Sequence, residues 1–387
     1  MLFELIDDLA CHESAQLVWL ASSCLAVVYV VGWYLMCRRM NSWTLEEPSH
    51  AKTRKGHKVS VILPVKGVHE QTLDNWRTQI KLDHGGETEY FFCMESTQDP
   101  VSKRAYKAAM EFKEEQKDLK NVNVVVCGLS FYCTQKIHNL LEGVSQISKE
   151  SNYVLFLDDD AQMSSRILLS LMDVLDRDDK VLIAYRMLSV IALGQKYPTV
   201  LWGGCLLLRT RDLFDDKVGI LQAWEDCGYS DDMIMAGRAS KVNKKIFIPP
   251  VAVLPSMMKE DYSVRNHWNY IRRQMFVCDT YSDIFDRMNN LFLLIVICII
   301  VLLVGCLTFQ VLILASLVGA GKSWLLGHLS AYHLNRQSCG WIPLAPDVLY
   351  VIISASAVIA MLDNSIVWSG ICYKKAKGKM GSGIQCR

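Results

Sequence analysis

Apolar and polar positions along the chain form two kinds of pattern, long uncharged blocks and short alternating runs. Residues 16–36 are an uncharged block of 21 residues, and residues 291–318 are one of 28. Each block is long enough to cross a bilayer as a helix. Residues 344–373 are a weaker third candidate, because Asp347 and Asp363 interrupt the block and an ionisable residue inside a span is costly.

Charges beside the first block predict its orientation. The charged residues before the block are all acidic, whereas Arg38 and Arg39 follow it at once. The positive-inside rule then predicts a lumenal N-terminus over 1–15 and a cytosolic domain after the block. A cleaved signal peptide fits less well, since its basic residues should precede the apolar run. Three crossings would leave 319–343 as a lumenal loop and the basic tail 374–387 in the cytosol.

The chain between the first two blocks opens with a basic linker over 37–58 and continues with alternating short runs over 59–261. Strand-like runs over 59–65, 90–94, 122–126 and 153–157 are separated by helix-like runs over 71–82, 102–117 and 136–148, with another over 164–175. This alternation predicts one α/β domain with a mostly parallel sheet. After Lys180 the pattern becomes irregular, although residues 230–240 are again typical of a helix.

Residues 262–290 combine aromatic residues with arginines and lead directly into the second block. These residue types are favoured at a membrane interface, so the segment is predicted to be interfacial and amphipathic. An amphipathic core helix is the alternative interpretation.

Composition narrows the possible partners. Lys plus Arg is 41 and Asp plus Glu is 40, so a net charge of +1 gives no reason to expect nucleic acid as a partner. The 14 cysteines include no Cys-x-x-Cys pair, so a zinc site is not expected.

The most informative stretch is the apolar run Tyr153–Leu157 followed by Asp158, Asp159 and Asp160. Ligands of α/β enzymes bind where strands end, and three acids there repel one another unless a cation neutralises them. Mg²⁺ and Mn²⁺ take oxygen ligands, often one or two carboxylates together with substrate phosphates. Asp158 and Asp160 therefore predict a site for a metal and a diphosphate. The alternative is a solvated acidic turn.

Four further groups lie at the ends of predicted elements. Glu95 and Asp99 follow a strand, where a carboxylate can bind a nucleoside hydroxyl or base, although a polar loop is the commoner explanation. Lys136 and Asn139 lie near the start of a helix, where a phosphate is favoured. The other two groups are Asp231 with Asp232, which open a helix, and Arg272 with Arg273, which precede the second block. Acids in such a position are common helix caps, and arginines there can bind a diphosphate or lipid headgroups.

In this order, the acidic groups and the arginines resemble the signature of the ceramide glucosyltransferase family, which is three aspartate sites followed by Gln/Arg-x-x-Arg-Trp. The resemblance is closest to plant-type members and runs from Val59 to about Tyr281. It is carried by the stretches VSVILPVKGVHE, FFCMESTQDP, TQKIHNLLEGV, YVLFLDDD, LWGGCLLL, GYSDDMIMAG, PPVAVLP and HWNYIRRQMFV.

The resemblance implies a GT-A fold, UDP-glucose as donor, ceramide as acceptor, and inversion at the anomeric carbon. It also implies roles for the residues that match. Glu95 or Asp99 takes the first acidic site, Asp158 and Asp160 hold Mg²⁺ or Mn²⁺ with the diphosphate, and Asp232, with Asp231 beside it, is the catalytic base. The arginine of the last motif binds the leaving group. The enzyme would lie in Golgi or endoplasmic reticulum membranes with its catalytic domain facing the cytosol.

Two features depart from the family pattern. The last motif begins with Asn269, and Arg273 stands where the family has Trp. The connection between Ile183 and Trp202 is shorter than in plant-type members. Two other functions therefore remain as alternatives: a processive polysaccharide synthase-like enzyme, and a catalytically impaired membrane-anchored homologue that binds a sugar nucleotide or a lipid.

Overall fold

A computed structural model gives the fold of the chain. It describes isolated positions between 20 and 38, residues 56–117, 121–185, 201, 203–247, 264–292, 294–295 and 359, and the C-terminal stretches 363–368, 370–377 and 382–386.

A seven-stranded sheet forms the centre of the domain. Its strands are β1 (Lys58–Pro64), β2 (Glu87–Met94), β3 (Asn121–Val126), β4 (Tyr153–Leu157), β5 (Val181–Tyr185), β6 (Cys205–Arg209) and β7 (Lys245–Phe247). Their order across the sheet is β3-β2-β1-β4-β6-β5-β7. Only β6 runs against its neighbours β4 and β5. The predicted α/β fold with a mostly parallel sheet is therefore confirmed.

Helices connect these strands. They are α1 (Thr72–Ile80), α2 (Pro100–Gln116), α3 (Gln135–Ser145), α4 (Ser165–Arg177), α5 (Thr210–Phe214), α6 (Ile220–Glu225), α7 (Asp231–Lys241) and α8 (Val264–Phe276). A 3₁₀ helix, Val277–Asp279, follows α8, and residues 284–292 are helical again. The four predicted strands, the four predicted helices between them and the helix over 230–240 are confirmed, with ends that differ by a few residues.

Both faces of the sheet are buried, because apolar side chains of β1 point alternately to opposite sides. Val61 and Leu63 contribute to a core with α1, α2 and α4, in which Trp76 packs edge-on against Phe92 with 4.8 Å between ring centroids. Ile62 contributes to a second core with α3, α6 and α7. The domain therefore has three layers, and the ends of its strands are left free to carry a site.

A second sheet lies near the C-terminus. Strands β8 (Ser365–Trp368), β9 (Ile371–Lys377) and β10 (Ser382–Cys386) pair antiparallel in the order β10-β9-β8. The described residues at the end of the predicted membrane segment over 344–373 and in the predicted basic tail over 374–387 therefore form strands, and their position relative to a membrane stays a prediction. Burial along these strands alternates with a period of two. Ile366 and its cross-strand partner Tyr373 are buried, whereas Val367, the residue after Ile366, is 64% exposed.

The other predicted membrane segments fall mostly outside the described residues. Among the positions that are described, no helix is both long enough and apolar enough to cross a bilayer. The described positions between 20 and 38 are helical. The lumenal loop predicted over 319–343 and most of the connection between Ile183 and Trp202 also lie outside the described residues.

Candidate active site

A cavity of about 530 Å³ opens where strands β1, β2 and β4 end. Its lining comes from the residues after these three strands, the first turns of α3 and α7, the Gly203–Gly204 segment before β6, α8 and the C-terminal sheet. A cavity at the carboxyl ends of parallel strands is the usual ligand site of an open α/β sheet.

The turn after β4 places Asp158, Asp159 and Asp160 in the cavity lining. The backbone NH of Asp158 donates to the Gly204 carbonyl over 2.9 Å. The buried Gln79 side chain holds the other side of the turn, because its Nε2 donates to the carbonyls of Asp158 (2.9 Å) and Ala161 (2.7 Å). Gln79 was not predicted, since its role depends on contacts with residues about 80 positions away.

Lys136, in the first turn of α3, joins two of the predicted acidic groups. Its Nζ lies 2.9 Å from Asp158 Oδ1 and 3.3 Å from Asp231 Oδ2. Burial lowers the pKa of Lys136, but the charges of Asp158, Asp231 and Asp232 outweigh burial and raise it well above the ordinary value. The ammonium therefore stays charged and places a fixed cation at a helix N-terminus, where an anion is also favoured by the helix dipole.

Asp231 and Asp232 open α7 and both line the cavity, but they are held differently. Asp231 is buried and ion-paired with Lys136. Asp232 accepts hydrogen bonds from uncharged donors: the Gly203 NH at 2.5 Å, the Met233 NH at 2.8 Å and the Ser230 hydroxyl. Gly203 allows this approach, since a Cβ there would lie 3.1 Å from Asp232 Oδ2.

The carboxyl groups of the site are buried and close together, and the protein compensates their negative charge only in part. Burial, together with Asp160 and Asp158, raises the pKa of Asp159 to about 8. Burial also raises the pKa of Asp231 to about 6, although Lys136 opposes this effect. A cation bound beside such carboxyl groups would stabilise their ionised form, so the site favours cation binding.

Glu95, at the end of β2, faces the cavity and is 4% exposed. Its Oε1 forms an ion pair with Lys66 and accepts a hydrogen bond from the Ser102 hydroxyl over 3.2 Å. Within the described part of the chain, its buried Oε2 has no hydrogen-bond partner. This oxygen is therefore available to a ligand.

Asp99, the other candidate for the first acidic site, is instead the N-cap of α2. Its Oδ1 accepts from the backbone NH groups of Val101 (3.1 Å) and Ser102 (3.0 Å), and the residue does not line the cavity. The sequence already carried this signal, because Pro100 follows Asp99 and proline is favoured at the first helical position. Of the two carboxylates, geometry brings only Glu95 to the site.

Asn139 also lines the cavity, one turn along α3 from Lys136. Its Nδ2 donates to the Cys93 carbonyl over 3.3 Å, and its Oδ1 accepts from Gln135 Nε2 over 2.9 Å. Gln135 itself lines the cavity, and its Oε1 accepts from the Ser130 NH over 2.9 Å. Asn139 is thus fixed within a network that ties α3 to β2.

The adjacent arginines Arg272 and Arg273 of α8 contact different neighbours. Arg273 lines the cavity, with its guanidinium carbon 5.0 Å from the Trp368 ring centroid and 5.6 Å from that of Tyr270. Arg272 is not among the lining residues and forms an ion pair with Asp363. Geometry therefore places Arg273, which occupies the motif's tryptophan position, at the site.

A set of aromatic lining residues was not predicted: Tyr229, Tyr270, Trp368 and Tyr373. Trp368 and Tyr373 come from the C-terminal sheet, about 90 residues beyond the helix that they face. Their signal in the sequence is the hairpin pattern IVWSGICY, in which a Ser-Gly pair separates two short apolar runs.

The residues that could hold a divalent cation are Asp158 and Asp160. In the described part of the chain, no group of three or more His, Cys, Asp or Glu side chains is arranged to bind a metal. Two carboxylates suffice when a diphosphate supplies further oxygen ligands, as is usual for Mg²⁺ in nucleotide sites. The incompletely compensated negative charge of this turn fits such an ion.

Sequence comparison indicates the class of protein that has such a site. The profile of Glycosyl transferase family 21, the ceramide glucosyltransferase domain, matches residues 20–194. This stretch contains Glu95, Lys136 and all three aspartates after β4, whereas α7 and α8 lie beyond it. A comparison with curated proteins finds no match.

A solved structure shares the fold at low sequence identity. The mannosyltransferase PcManGT from Pyrobaculum calidifontis, in complex with GDP-Man and Mn²⁺, has a TM-score of 0.51 at 13% identity, covering 90% of this chain and 98% of that one. Glucosyl-3-phosphoglycerate synthase from Mycobacterium tuberculosis has a TM-score of 0.38 at 11% identity, covering 61% of this chain and 83% of that one.

The α/β fold is therefore GT-A-like, as expected. The family match, on a fold shared with a solved mannosyltransferase, supports a glycosyltransferase.

Proposed function

We propose that the protein transfers glucose from UDP-glucose to the primary hydroxyl of ceramide, with inversion at the anomeric carbon. The observation that carries the proposal is one cavity that brings together the strand-end aspartates, the helix-start lysine, the Asp231–Asp232 pair and Arg273. These groups lie up to 137 residues apart in the sequence, from Lys136 to Arg273. They supply what transfer from a nucleotide sugar requires: diphosphate binding, charge neutralisation and a base.

The donor is assigned to the polar side of the cavity. Lys136 and Arg273 are the cations that would bind the diphosphate, since ammonium and guanidinium groups both make charge-assisted hydrogen bonds to phosphate oxygens. The Oε2 atom of Glu95 would accept from a hydroxyl or NH group of the uridine. Asn139, held by Gln135, would fix the edge of this subsite.

Asp158 and Asp160 would hold a Mg²⁺ or Mn²⁺ ion together with the diphosphate. Such an ion, when bound, neutralises negative charge on the UDP leaving group. The pairing of Lys136 with Asp158 would have to loosen as donor and metal bind, which would free the ammonium for a phosphate oxygen.

Asp232 is proposed as the base that takes the proton from the acceptor hydroxyl as this oxygen attacks the anomeric carbon. Three uncharged donors orient its carboxylate, whereas Asp231 is occupied by Lys136. The ion pair with Lys136 engages the Asp231 carboxylate on the diphosphate side of the cavity, which leaves Asp232 as the proposed base. One displacement inverts the centre and gives a β-glucoside.

A lipid acceptor is supported by apolar side chains that the described surface exposes. In the loop after β3, Phe131 is 69% exposed and Tyr132 is 71% exposed. This loop is joined to the cavity wall through the hydrogen bond from the Ser130 NH to Gln135. Further exposed apolar side chains lie on the helical residues after α8: Ile284, Phe285, Met288, Leu291 and Phe292. Exposed apolar surface of this kind is typical of an interface with a membrane or another protein.

The test is to incubate membranes that contain the chain with radiolabelled UDP-glucose and ceramide, and to separate lipid from polymer. We expect labelled glucosylceramide, at a rate roughly a hundredfold lower in membranes that carry Asp160→Asn. Label in a polymer would favour a polysaccharide synthase-like enzyme. Binding of UDP-glucose without any transfer would favour the impaired homologue.

A further inference from the structure

The inner face of the β8–β9 hairpin continues the wall of the cavity. In the antiparallel register, Ile366 pairs with Tyr373 and Trp368 pairs with Ile371. Strand alternation places these four side chains on one face, and Val367 on the other. Ile366 and Tyr373 are buried against Tyr229 and Phe276, while Trp368, Ile371 and Tyr373 line the cavity.

The hairpin is fixed to both sides of the site. The backbone NH of Gln135, the first residue of α3, donates to the Tyr373 hydroxyl over 3.4 Å. The Ile384 NH of β10 donates to the Cys227 carbonyl over 2.9 Å, in the loop that leads to α7. Lys375 Nζ lies 2.6 Å from Asp279 Oδ2, just after α8. The sheet therefore holds the position of the cavity wall relative to the lysine and aspartates.

The lining of the cavity has two chemical characters. The ends of β1, β2 and β4 and the starts of α3 and α7 contribute carboxylates, lysines and amides. The hairpin, α8 and the 3₁₀ helix after it contribute Trp368, Ile371, Tyr270 and Val277. Arg273 of α8 lies against the Trp368 ring. A sugar diphosphate matches the first surface. The second surface suits a molecule that presents an apolar or amphipathic body beside its reactive hydroxyl.

We propose that the β8–β9 hairpin forms the acceptor subsite, and that Trp368 is the residue that determines acceptor specificity. The indole supplies a flat apolar surface for the part of the acceptor next to its hydroxyl group, and Ile371 extends this surface. The ligand class is a hydroxyl-bearing amphiphile. The inference rests on the proposed function, which supplies the transfer of a sugar to an acceptor hydroxyl. It concerns a part of the chain that the family match does not cover.

The test compares the full chain with Trp368→Ala in membranes, with ceramide and with n-dodecanol as separate acceptors. Three quantities are measured: the acceptor KM, the kcat, and the release of UDP from UDP-glucose without acceptor. We expect the acceptor KM to rise about tenfold or more, which corresponds to about 1.4 kcal/mol of lost binding. Release of UDP without acceptor should stay within about twofold of wild type. Trp368→Phe should recover most of the acceptor affinity.

Val367→Ala is the matched control, because Val367 is on the same strand and its side chain is exposed on the opposite face. It should leave all three quantities unchanged. If Trp368→Ala loses protease resistance in the membrane, Ile371→Ala is tested in its place. Ile371→Ala should raise the acceptor KM while the release of UDP without acceptor stays close to wild type.

An unchanged acceptor KM in folded Trp368→Ala, or a parallel loss of donor turnover, would overturn the proposal. Failure of the proposed function gives a different pattern. Wild-type membranes that glucosylate dodecanol but not ceramide would contradict the ceramide assignment alone, and the hairpin is then tested on the dodecanol KM. Transfer to neither acceptor would overturn both.

Discussion

Asp231 and Asp232 are adjacent in sequence, yet the structure gives them different partners. Asp231 is paired with Lys136, whereas Asp232 is held by Gly203, Ser230 and Met233. The two carboxylates should therefore fail in different ways when they are neutralised.

We expect Asp232→Asn to reduce kcat by about 10²- to 10⁴-fold, the range that general-base catalysis contributes, while UDP-glucose still binds with near-normal affinity. Asparagine keeps the size of the side chain but cannot accept a proton at neutral pH. Asp231→Asn should have the smaller effect on kcat and mainly raise the KM for UDP-glucose, because Lys136 would lose one of the two carboxylates that position it. Steady-state kinetics on both variants would reveal a misassigned base if Asp231→Asn were inactive and Asp232→Asn active.

Asp160→Asn tests the acidic turn after β4. Losing one oxygen ligand should weaken charge stabilisation of the leaving group, by about 3 kcal/mol or roughly a hundredfold in kcat. Activity should also require a higher concentration of Mn²⁺ or Mg²⁺. Asp74→Asn is the control, since Asp74 is an exposed acid on α1 that pairs only with the nearby Arg77 in the described contacts. Full activity of Asp160→Asn at low metal concentration would remove this residue from the site.

Residues whose role depends on a single element could be predicted from the sequence. The aspartates after β4 follow an apolar strand, and the end of such a strand is where α/β proteins bind ligands. Residues such as Gln79 and Trp368 could not be predicted, because each acts through contacts with a segment far away in the chain. Glu95 and Asp99 show the intermediate case: both follow β2, and only the cap geometry of α2 separates them.

At the scale of elements, the succession of apolar strand-like runs and amphipathic runs located β1 to β4 and their helices, since β1, β2 and β4 are largely buried and each helix has one apolar face. The same criterion failed at the C-terminus. Ile366, Trp368, Ile371 and Tyr373 add enough apolar character to look like part of a span, whereas the short hairpin turn at Gly370, with φ of +83°, produces a pair of strands. Short strands and membrane segments both contain apolar runs, and length alone does not separate them here.

Packing of α7 against the segment after α8 buries a carboxyl group whose protonation should affect stability. Gly237 of α7 lies against Asp286, where a Cβ would come within 2.6 Å of the Asp286 Cβ. Burial raises the pKa of Asp286 from 3.8 to about 7. The folded state therefore binds this proton more tightly than the unfolded state, and the resulting stabilisation is full below about pH 3.8 and lost as pH rises through about 7.

Asp286→Asn should accordingly raise the melting temperature more at pH 8 than at pH 5, because only at pH 8 does the wild type carry a buried charge there. The measurement is thermal unfolding of the detergent-solubilised chain at both pH values, with Asp74→Asn as the exposed control. An equal shift at both pH values would show that the carboxyl group of Asp286 does not titrate between them.

The whole molecule combines a GT-A-like domain with two long uncharged blocks, and the charges beside the first block predict which side of the membrane the domain faces. Acids precede that block, and Arg38 and Arg39 follow it. Arginine and lysine are retained on the cytosolic side. We therefore expect protease added to sealed microsomes to digest the domain between Arg39 and Met288, while the N-terminus stays protected.

Epitope tags at either end of this domain and detergent-opened microsomes provide the controls. If the domain were protected and the N-terminus exposed, the orientation would be reversed, and UDP-glucose would have to be imported to reach the cavity lined by Lys136 and Asp158.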